Sequence, residues 1–393
     1  MQLSGIRVVD LTRILSGPFC TMLLADMGAD VIKIESPDGD PVREQGAIVN
    51  GMSWYFASFN RNKRSMRLDL RTAEGLAALK RLIGTADVVV DNFRPGVMEQ
   101  MGLGWNALCS LSPRVVHTSI TGFGETGPYA KRPAFDFIAQ AMSGFMSMNG
   151  TPETGPMRSG LPVSDLVAGQ YAALGTLAAL LRRERTGLGE RVNASLVDSL
   201  LSLGAYASAN HLATGEVALP TGNDHPLIAP YGLFTAADGE LAIAPSNDAI
   251  YDKFLKALKL EHLRAEPSFA TNALRKQNRL AMNIHINQVI CQEPREHWIA
   301  VLNAAGVPCG TVMQYDEVYA DPQILSQQML LEVDHPGHGM VRMNGFPVKF
   351  AQSPCTVRHP APDLGAHTMS VLQELGYSRE EAMSLGGAHD GAQ

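Results

Sequence analysis

Four short apolar runs limit what this chain can become. Residues 6–11 (IRVVDL), 30–35 (DVIKIE), 87–92 (DVVVDN) and 114–120 (RVVHTSI) are rich in Val and Ile. Helical patterns separate them, at about 18–27, at 73–83 and near Val97. Strands with helices between them cannot be hairpins, so right-handed crossovers and a mainly parallel sheet covered on both faces follow. Ligands bind such sheets beyond the carboxyl ends of the strands, which marks residues 12–17, 35–36, 92–94 and 122–127 as candidate site loops. A further strand-like run, MRLDL, lies at 66–70.

The pattern changes after the fourth run. Residues 165–185 read as one helix, and the glycine-rich turn RTGLGERV leads to another at 194–212. The Gly- and Pro-rich segment 214–230 then reads as a linker, followed by a hairpin turning at Asp238 and Gly239 and by amphipathic helices to about 305. The fold class is therefore α/β: a large Rossmann-like parallel-sheet domain begun by 1–205, a linker and smaller α+β domain at 206–325, and a C-terminal part, 326–393, that returns to the large domain. A helix is expected at 367–376, with the polar stretch 386–393 frayed behind it.

Composition removes several function classes. A net charge of −7 lacks the basic footprint of a nucleic-acid binder. The five cysteines are scattered and form no CxxC pair, against a disulfide framework or a zinc site, so no metal is expected. The apolar stretch 172–181 is too short to cross a bilayer and runs into RRER, and MQLSGIRVVDLT lacks the features of a signal peptide; no membrane association and a cytoplasmic setting are expected. Gly122, Gly124 and Gly127 spell GxGxxG after a strand, but PYAKRP follows where a helix must open, which argues against a nicotinamide or flavin site. GxSxG, HExxH, P-loop and kinase signatures are missing.

Asp165 ends the loop GPMRSGLPVS and opens a nearly uncharged helix. A helix N-terminus favours an ionised carboxylate, which could serve as a nucleophile; Ser164 or Asp165 could equally be a plain cap. The run 60–71 brings together Arg61, Lys63, Arg64, Arg67 and Arg71, either a solvated face or a seat for a phosphorylated ligand, with Arg64 and Arg71 the cations to test. Asn92, Phe93 and Arg94 offer an amide, a ring and a guanidinium suited to adenine and phosphates, although a turn before Pro95 accounts for them as well. Cys309 lacks an adjacent histidine and reads as an inert thiol.

Several segments together resemble the class III coenzyme A transferases: DLTRILSGPFCTMLLADMGADVIKIE, FNRNKRSMRLDLR, DNFRPGVMEQMGL, GFGETGPY, RPAFDFIAQAMSG, the Asp165 segment, RTGLGERVNASLVDSLL, GNDHPLIAPY and AGVPCGTVMQYDEVYADPQ. The resemblance runs nearly end to end and implies Asp165 as the catalytic aspartate. It also implies contacts to coenzyme A from Ser16, Ser36, Leu68, Asp69, Leu70, Arg71, Asn92, Phe93, Arg94, Gln100, Arg132 and Phe135. Ser36 and Gln100 stand where relatives carry phosphate-binding arginines, so Arg71, Arg94 or the Lys131 and Arg132 pair must supply that charge. The family's architecture implies two interlocked copies of the chain. Related racemases use a histidine at the place of Phe135, and phenylalanine cannot exchange a proton, so transfer is expected rather than racemisation. A non-catalytic CoA-binding protein is a third reading, disfavoured by the intact Asp165 segment. Gly222 and Asn223 are candidates for holding an oxyanion, and His225, Arg43 and the cations near Lys131 for a second carboxylate, as a succinyl-CoA donor and a small dicarboxylate acceptor require.

Overall fold

The computed structural model describes residues 1–386; most of the tail expected to fray, from 387 on, lies outside the described residues. The chain divides into two compact units. The first holds Met1–Met146, Arg158–Glu216 and the chain from Pro322 on; the second holds Ser147–Met157 and Val217–Asp321. Sequence reading did not anticipate the excursion Ser147–Met157, whose Gly, Pro and Thr content carries no periodicity to read.

Six parallel strands form the first unit's main sheet among the described residues: β1 (Arg7–Asp10), β2 (Asp30–Glu35), β3 (Lys63–Arg67), β4 (Val88–Asp91), β5 (Val116–Thr121) and β6 (Glu190–Ser195), in the order β3-β2-β1-β4-β5-β6. The order reverses direction between β1 and β4, and that switch point leaves a crevice at the carboxyl ends of the strands. The helices that bear on it are α1 (Ser16–Asp26), α2 (Trp54–Asn60), α3 (Ala73–Ile83), α4 (Asp136–Met142), α5 (Val163–Thr186) and α6 (Leu196–Leu201).

Period-2 alternation explains the layers. Val8, Val31, Val88, Val90 and Val116 pack on α1 and α5, while Val9, Ile32, Met66 and Val89 turn to α3 and the helix Thr368–Glu374. α3 shows why a segment becomes helix: Thr72 caps it by accepting the Gly75 N–H at 3.1 Å, and Ala78, Leu79, Leu82 and Ile83 make one buried stripe. By length and composition α5 could cross a bilayer; here Ala168, Ala172, Thr176, Ala179 and Leu180 are buried in the core, and Arg183 pairs with Asp87 at 2.8 Å.

Two strands differ from expectation. Residues 190–195, read as the approach to a helix, form edge strand β6; only one side of it is paired, so it needs no apolar run, and ERVNAS has none. The long helix expected at 194–212 is broken into α6 and Ala205–Thr214. β3 starts at Lys63, three residues before the apolar MRLDL, because Lys63 is fully buried and its charge is matched inside the fold.

The two sheet edges are finished differently. At β3, the Ser65 N–H donates to His367 Nδ1 at 3.2 Å, the Ser65 carbonyl accepts the His367 N–H at 2.9 Å, and the Arg67 N–H donates to Thr368 Oγ1 at 2.9 Å. The returning C-terminal segment thus covers that edge. At β6, Arg191 pairs with Glu125 at 2.8 Å and Glu190 with Arg182 at 3.4 Å.

The second unit is built on the antiparallel strands β7 (Gly232–Ala236), β8 (Gly239–Ile243) and β9 (Cys309–Thr311). Phe234, Leu241, Phe254, Ile286 and Trp298 form its core with the surrounding helices.

Most of the basic run 60–71 serves the fold. Arg61 pairs with Asp26 at 2.7 Å, Lys63 with Asp10 at 3.2 Å, and Arg64 with Asp30 at 2.7 Å and Glu374 at 2.6 Å. Removing one partner of a fully buried pair strands the other charge, so Lys63→Met should lower stability by about 3–5 kcal/mol. Arg64→Met, at a part-exposed pair, should cost about 1 kcal/mol or less. Urea midpoints of the two variants check this, and equal losses would refute it.

Candidate active site

The first turn, between β1 and α1, is set by buried charges. Asp10 Oδ1 accepts the Thr12 N–H at 2.9 Å and the Thr12 hydroxyl at 2.5 Å; Oδ2 accepts the Thr21 hydroxyl at 2.7 Å and pairs with Lys63. Burial pushes the Asp10 pKa up, and the Lys63 and Lys33 ammonium groups outweigh it, holding the carboxyl below its ordinary value. Lys33 donates to the Thr12 carbonyl at 2.8 Å and pairs with Asp40 at 2.8 Å; Asp40 Oδ1 accepts the Ile14 N–H at 3.2 Å. These ties hold Ile14 at φ 69°, a conformation β-branched residues rarely adopt. A Cβ on Gly17 would stand 2.3 Å from Thr12 Cβ, so only glycine closes the turn and delivers Ser16 to the start of α1. Asn92 locks the outer side, accepting the Arg13 N–H at 3.0 Å and donating to the Arg13 carbonyl at 2.8 Å.

α5 approaches this turn closely. A Cβ on Gly169 would lie 2.6 Å from the Ser16 carbonyl oxygen, so glycine there lets the helix seat against α1 and brings Asp165, one turn earlier, beside Ser16. Neither Ser164 nor Asp165 is the cap that sequence reading allowed. Pro162 holds that position with no side-chain cap, and the Ser164 N–H and hydroxyl donate instead to Asp136 Oδ1 at 3.0 and 2.9 Å. Nor does the helix N-terminus keep Asp165 at an ordinary carboxylate pKa. Burial, then the Asp136 charge, push it up to about 7, against a hydrogen bond from the Ser16 hydroxyl that pulls it down.

Asp165 opens into a cavity of about 350 Å³ that Ser16, Asn92, Phe93, Arg94, Arg132 and Phe135 also line. A second cavity, of about 490 Å³, is lined by Ser36, Leu68, Asp69, Leu70 and Arg71 and shares Arg13, Phe93 and Arg94 with the first. The fold thus gathers eleven of the twelve proposed CoA contacts along one track ending at Asp165. Gln100 is the exception: it is exposed at the end of the helix Val97–Gln100 and lines neither cavity. The Arg71 guanidinium, 79% exposed, forms a two-point pair with Asp69 at 2.8 Å for each bond. Arg43 is engaged by Glu35 at 2.8 and 2.7 Å and packs over Phe56, which removes it as a carboxylate receptor. Arg13 and Arg94 line both cavities. Among the described residues no group of three or more His, Cys, Asp or Glu could hold a metal ion.

Gly222, Asn223 and His225 belong to the second unit. Gly222 has φ 60° and donates its N–H to the Gly150 carbonyl at 2.7 Å. His225 stacks on Tyr231 with ring centroids 4.7 Å apart, and its Nδ1 accepts the Leu227 N–H at 3.1 Å; burial and the nearby Arg279 and Lys276 hold its pKa below the ordinary value, against a cationic role.

Sequence reading missed Asp136, Gln140, Arg13 and Tyr55, whose phenol faces the Asp165 charge. The i, i+4 spacing of Asp136 and Gln140 in DFIAQ was the one available signal, and many exposed helix pairs share it.

Beyond the Rossmann-type sheet, the two cavities share Arg13, Phe93 and Arg94 and carry the Asp165 carboxyl, where a dinucleotide-binding sheet has a glycine-rich phosphate loop. Residues 3–368 match CoA-transferase family III, and the chain belongs to that family. It is 36% identical over 385 residues to the succinate–glutarate CoA-transferase of Agrobacterium fabrum, with 95% of each chain covered. It is 37% identical over 384 residues to the succinyl-CoA:mesaconate CoA-transferase of Haloarcula marismortui, covering 95% of this chain and 96% of that one. Among solved structures, a CaiB/BaiF family protein from Brucella suis superposes with a TM-score of 0.84 at 37% identity, covering 95% of this chain and 98% of that one. The protein is a CoA-transferase, and acyl-CoA is its substrate.

A carboxyl whose folded-state pKa is raised binds its proton more tightly in the folded protein, so its contribution to stability falls as pH climbs from 3.8 toward 7 and stays lost above. Asp165→Asn should therefore raise the melting temperature at pH 8, with a gain that shrinks toward pH 4. A variant no more stable than the parent at pH 8 would contradict the assigned burial and repulsion.

Proposed function

We propose that the protein transfers CoA from succinyl-CoA to a small dicarboxylate through covalent intermediates on Asp165. The observation that carries this reading is the placement of Asp165, partly buried, beside Ser16 in a cavity that adjoins the second one. The relatives that act on succinyl-CoA, glutarate and mesaconate support the substrate class.

CoA lies with its adenosine and phosphates along residues 36, 68–71 and 94, and its pantetheine runs past Phe93 and Arg13 toward Asp165. The Asp165 carboxylate attacks the thioester carbonyl, forming a mixed anhydride and releasing CoA thiolate. The thiolate attacks the aspartyl carbonyl, giving an aspartyl-CoA thioester and free succinate. The acceptor acid then reverses these two steps and leaves as its own CoA ester. Partial burial suits this exchange twice over: it leaves the carboxylate poorly solvated and reactive, and it keeps water from hydrolysing the intermediates. Ser16 holds the carboxylate oriented in the resting state. The Gly222 N–H is already given to the Gly150 carbonyl, which removes it as an oxyanion donor. Large apolar side chains exposed on the first unit, Leu174 at 61%, Leu181 at 59% and Leu212 at 82%, support self-association as an interlocked homodimer. Phe135, 71% exposed at the cavity, offers no proton-exchanging group to a racemase.

Asp165→Ala should reduce transfer from succinyl-CoA by at least about a thousandfold, the scale of losing a covalent nucleophile. Hydroxylamine added during turnover should yield a hydroxamate on Asp165, read by peptide mass spectrometry; substantial activity in the variant, or trapping at another carboxylate, would end the mechanism. In the parent enzyme kcat/KM for succinyl-CoA should rise with pH to a plateau above about 7, because only the ionised carboxyl attacks.

A further inference from the structure

We propose that Asp136 is the positioning residue for this reaction: its buried carboxylate stands in for the missing cap of α5, aims Asp165 into the cavity, and favours the covalently loaded enzyme over the free one. The inference rests on the covalent role of Asp165 proposed above.

The geometry begins with α5, whose Pro162 supplies no side-chain cap. Asp136, on the first turn of α4 and only 8% exposed, reaches across from a different helix and accepts both the Ser164 N–H and the Ser164 hydroxyl, at 3.0 and 2.9 Å, through Oδ1. Its Oδ2 accepts Gln140 Nε2 at 2.7 Å, and Gln140, fully buried, accepts the Ser159 N–H at 2.8 Å and donates to the Leu161 carbonyl at 3.3 Å. Two buried side chains of α4 therefore fix both the approach to α5 and the residue before the nucleophile. A cap could have been supplied locally by Ser or Asp at position 162. A carboxylate brought from elsewhere does something a serine cap does not: it places a second negative charge beside Asp165.

That charge has a direction of effect on the chemistry. Free Asp165 is an anion facing Asp136; as the anhydride or the aspartyl-CoA thioester it is neutral, its charge passing first to the CoA thiolate and then, as the thioester forms, departing on succinate. Loading the enzyme thus relieves repulsion that the resting state carries, and Asp136 shifts the balance toward the thioester. The raised pKa of Asp165 agrees with this. The other charged groups lining the cavity are Arg13, Arg94 and Arg132 from the loops, and the Tyr55 phenol of α2 feels the Asp165 charge; none of them hydrogen-bonds the start of α5.

The test separates aim from charge. Asp136→Asn keeps an oxygen for the Ser164 N–H and removes the charge; Asp136→Ala removes both, and Gln140→Ala loosens the clamp while leaving the charge. In Asp136→Asn the acid limb of the kcat/KM profile should move down by about one pH unit, and the ratio of loaded to free enzyme, read by intact-protein mass spectrometry at a fixed succinyl-CoA to succinate ratio, should fall about tenfold. Asp136→Ala should also lose kcat by about a hundredfold, the cost of misplacing a reacting group. Gln140→Ala should lower kcat with the pH profile unmoved. A wild-type pH profile and a wild-type loaded fraction in Asp136→Asn would overturn the inference. If instead the parent enzyme forms no CoA adduct at Asp165, the covalent reading itself fails, and the two failures are told apart by that one measurement.

Discussion

Everything at the crevice depends on a charge cluster with almost no access to water. Asp10 ends β1, Lys33 lies within β2, Lys63 opens β3 and Asp40 follows β2, and each ion there forgoes hydration worth several kcal/mol. Such clusters are weak sources of stability, because apolar side chains of the same size would often serve as well. Their result here is geometric. Lys33 and Asp40 bind the Thr12 carbonyl and the Ile14 N–H, and Asp10 binds the Thr12 N–H and hydroxyl, so backbone groups of one turn are held from β1, from β2 and from the loop after β2. A glycine-rich loop would hold a pyrophosphate with free N–H groups. This turn spends its polar groups on itself and turns Ser16 and Arg13 to the cavity.

At Asp165, competing effects are of unequal size. A helix N-terminus favours an anion by roughly 0.3–1 kcal/mol, and by up to about 2 when partly buried. A carboxyl pKa that climbs from 3.8 to about 7 reflects an opposing effect of several kcal/mol, since each unit is worth about 1.4 kcal/mol. Desolvation and Asp136 therefore decide the state of Asp165.

What the sequence revealed follows from what is local. The Val and Ile alternation of β1, β2, β4 and β5 and the stripe of α3 are short-range patterns, and they were legible. β6 and the start of β3 were not, since an edge strand and a strand that opens on a compensated lysine both depend on neighbours far away in the chain. The same division runs through the site. Asp165 stood out because an isolated carboxylate opened an apolar helix, whereas Asp136 acquires its meaning only when α4 and α5 are placed together. Arg64 and Arg43 looked available because nothing nearby in sequence announces Asp30, Glu374 or Glu35 as their partners.

The two edges of the main sheet have a consequence for how the protein comes into being. Charge guards β6 from within the neighbouring chain, so that edge is complete as soon as its own helix has formed. The β3 edge is different, because His367 and Thr368 close it from some 300 residues later. Until the last part of the chain has been synthesised, a row of backbone groups on β3 stays open to any passing strand. The nascent protein is therefore most exposed to mispairing late, when all the residues that line the Asp165 cavity have already been made, and the seal that ends this interval is His367 and Thr368.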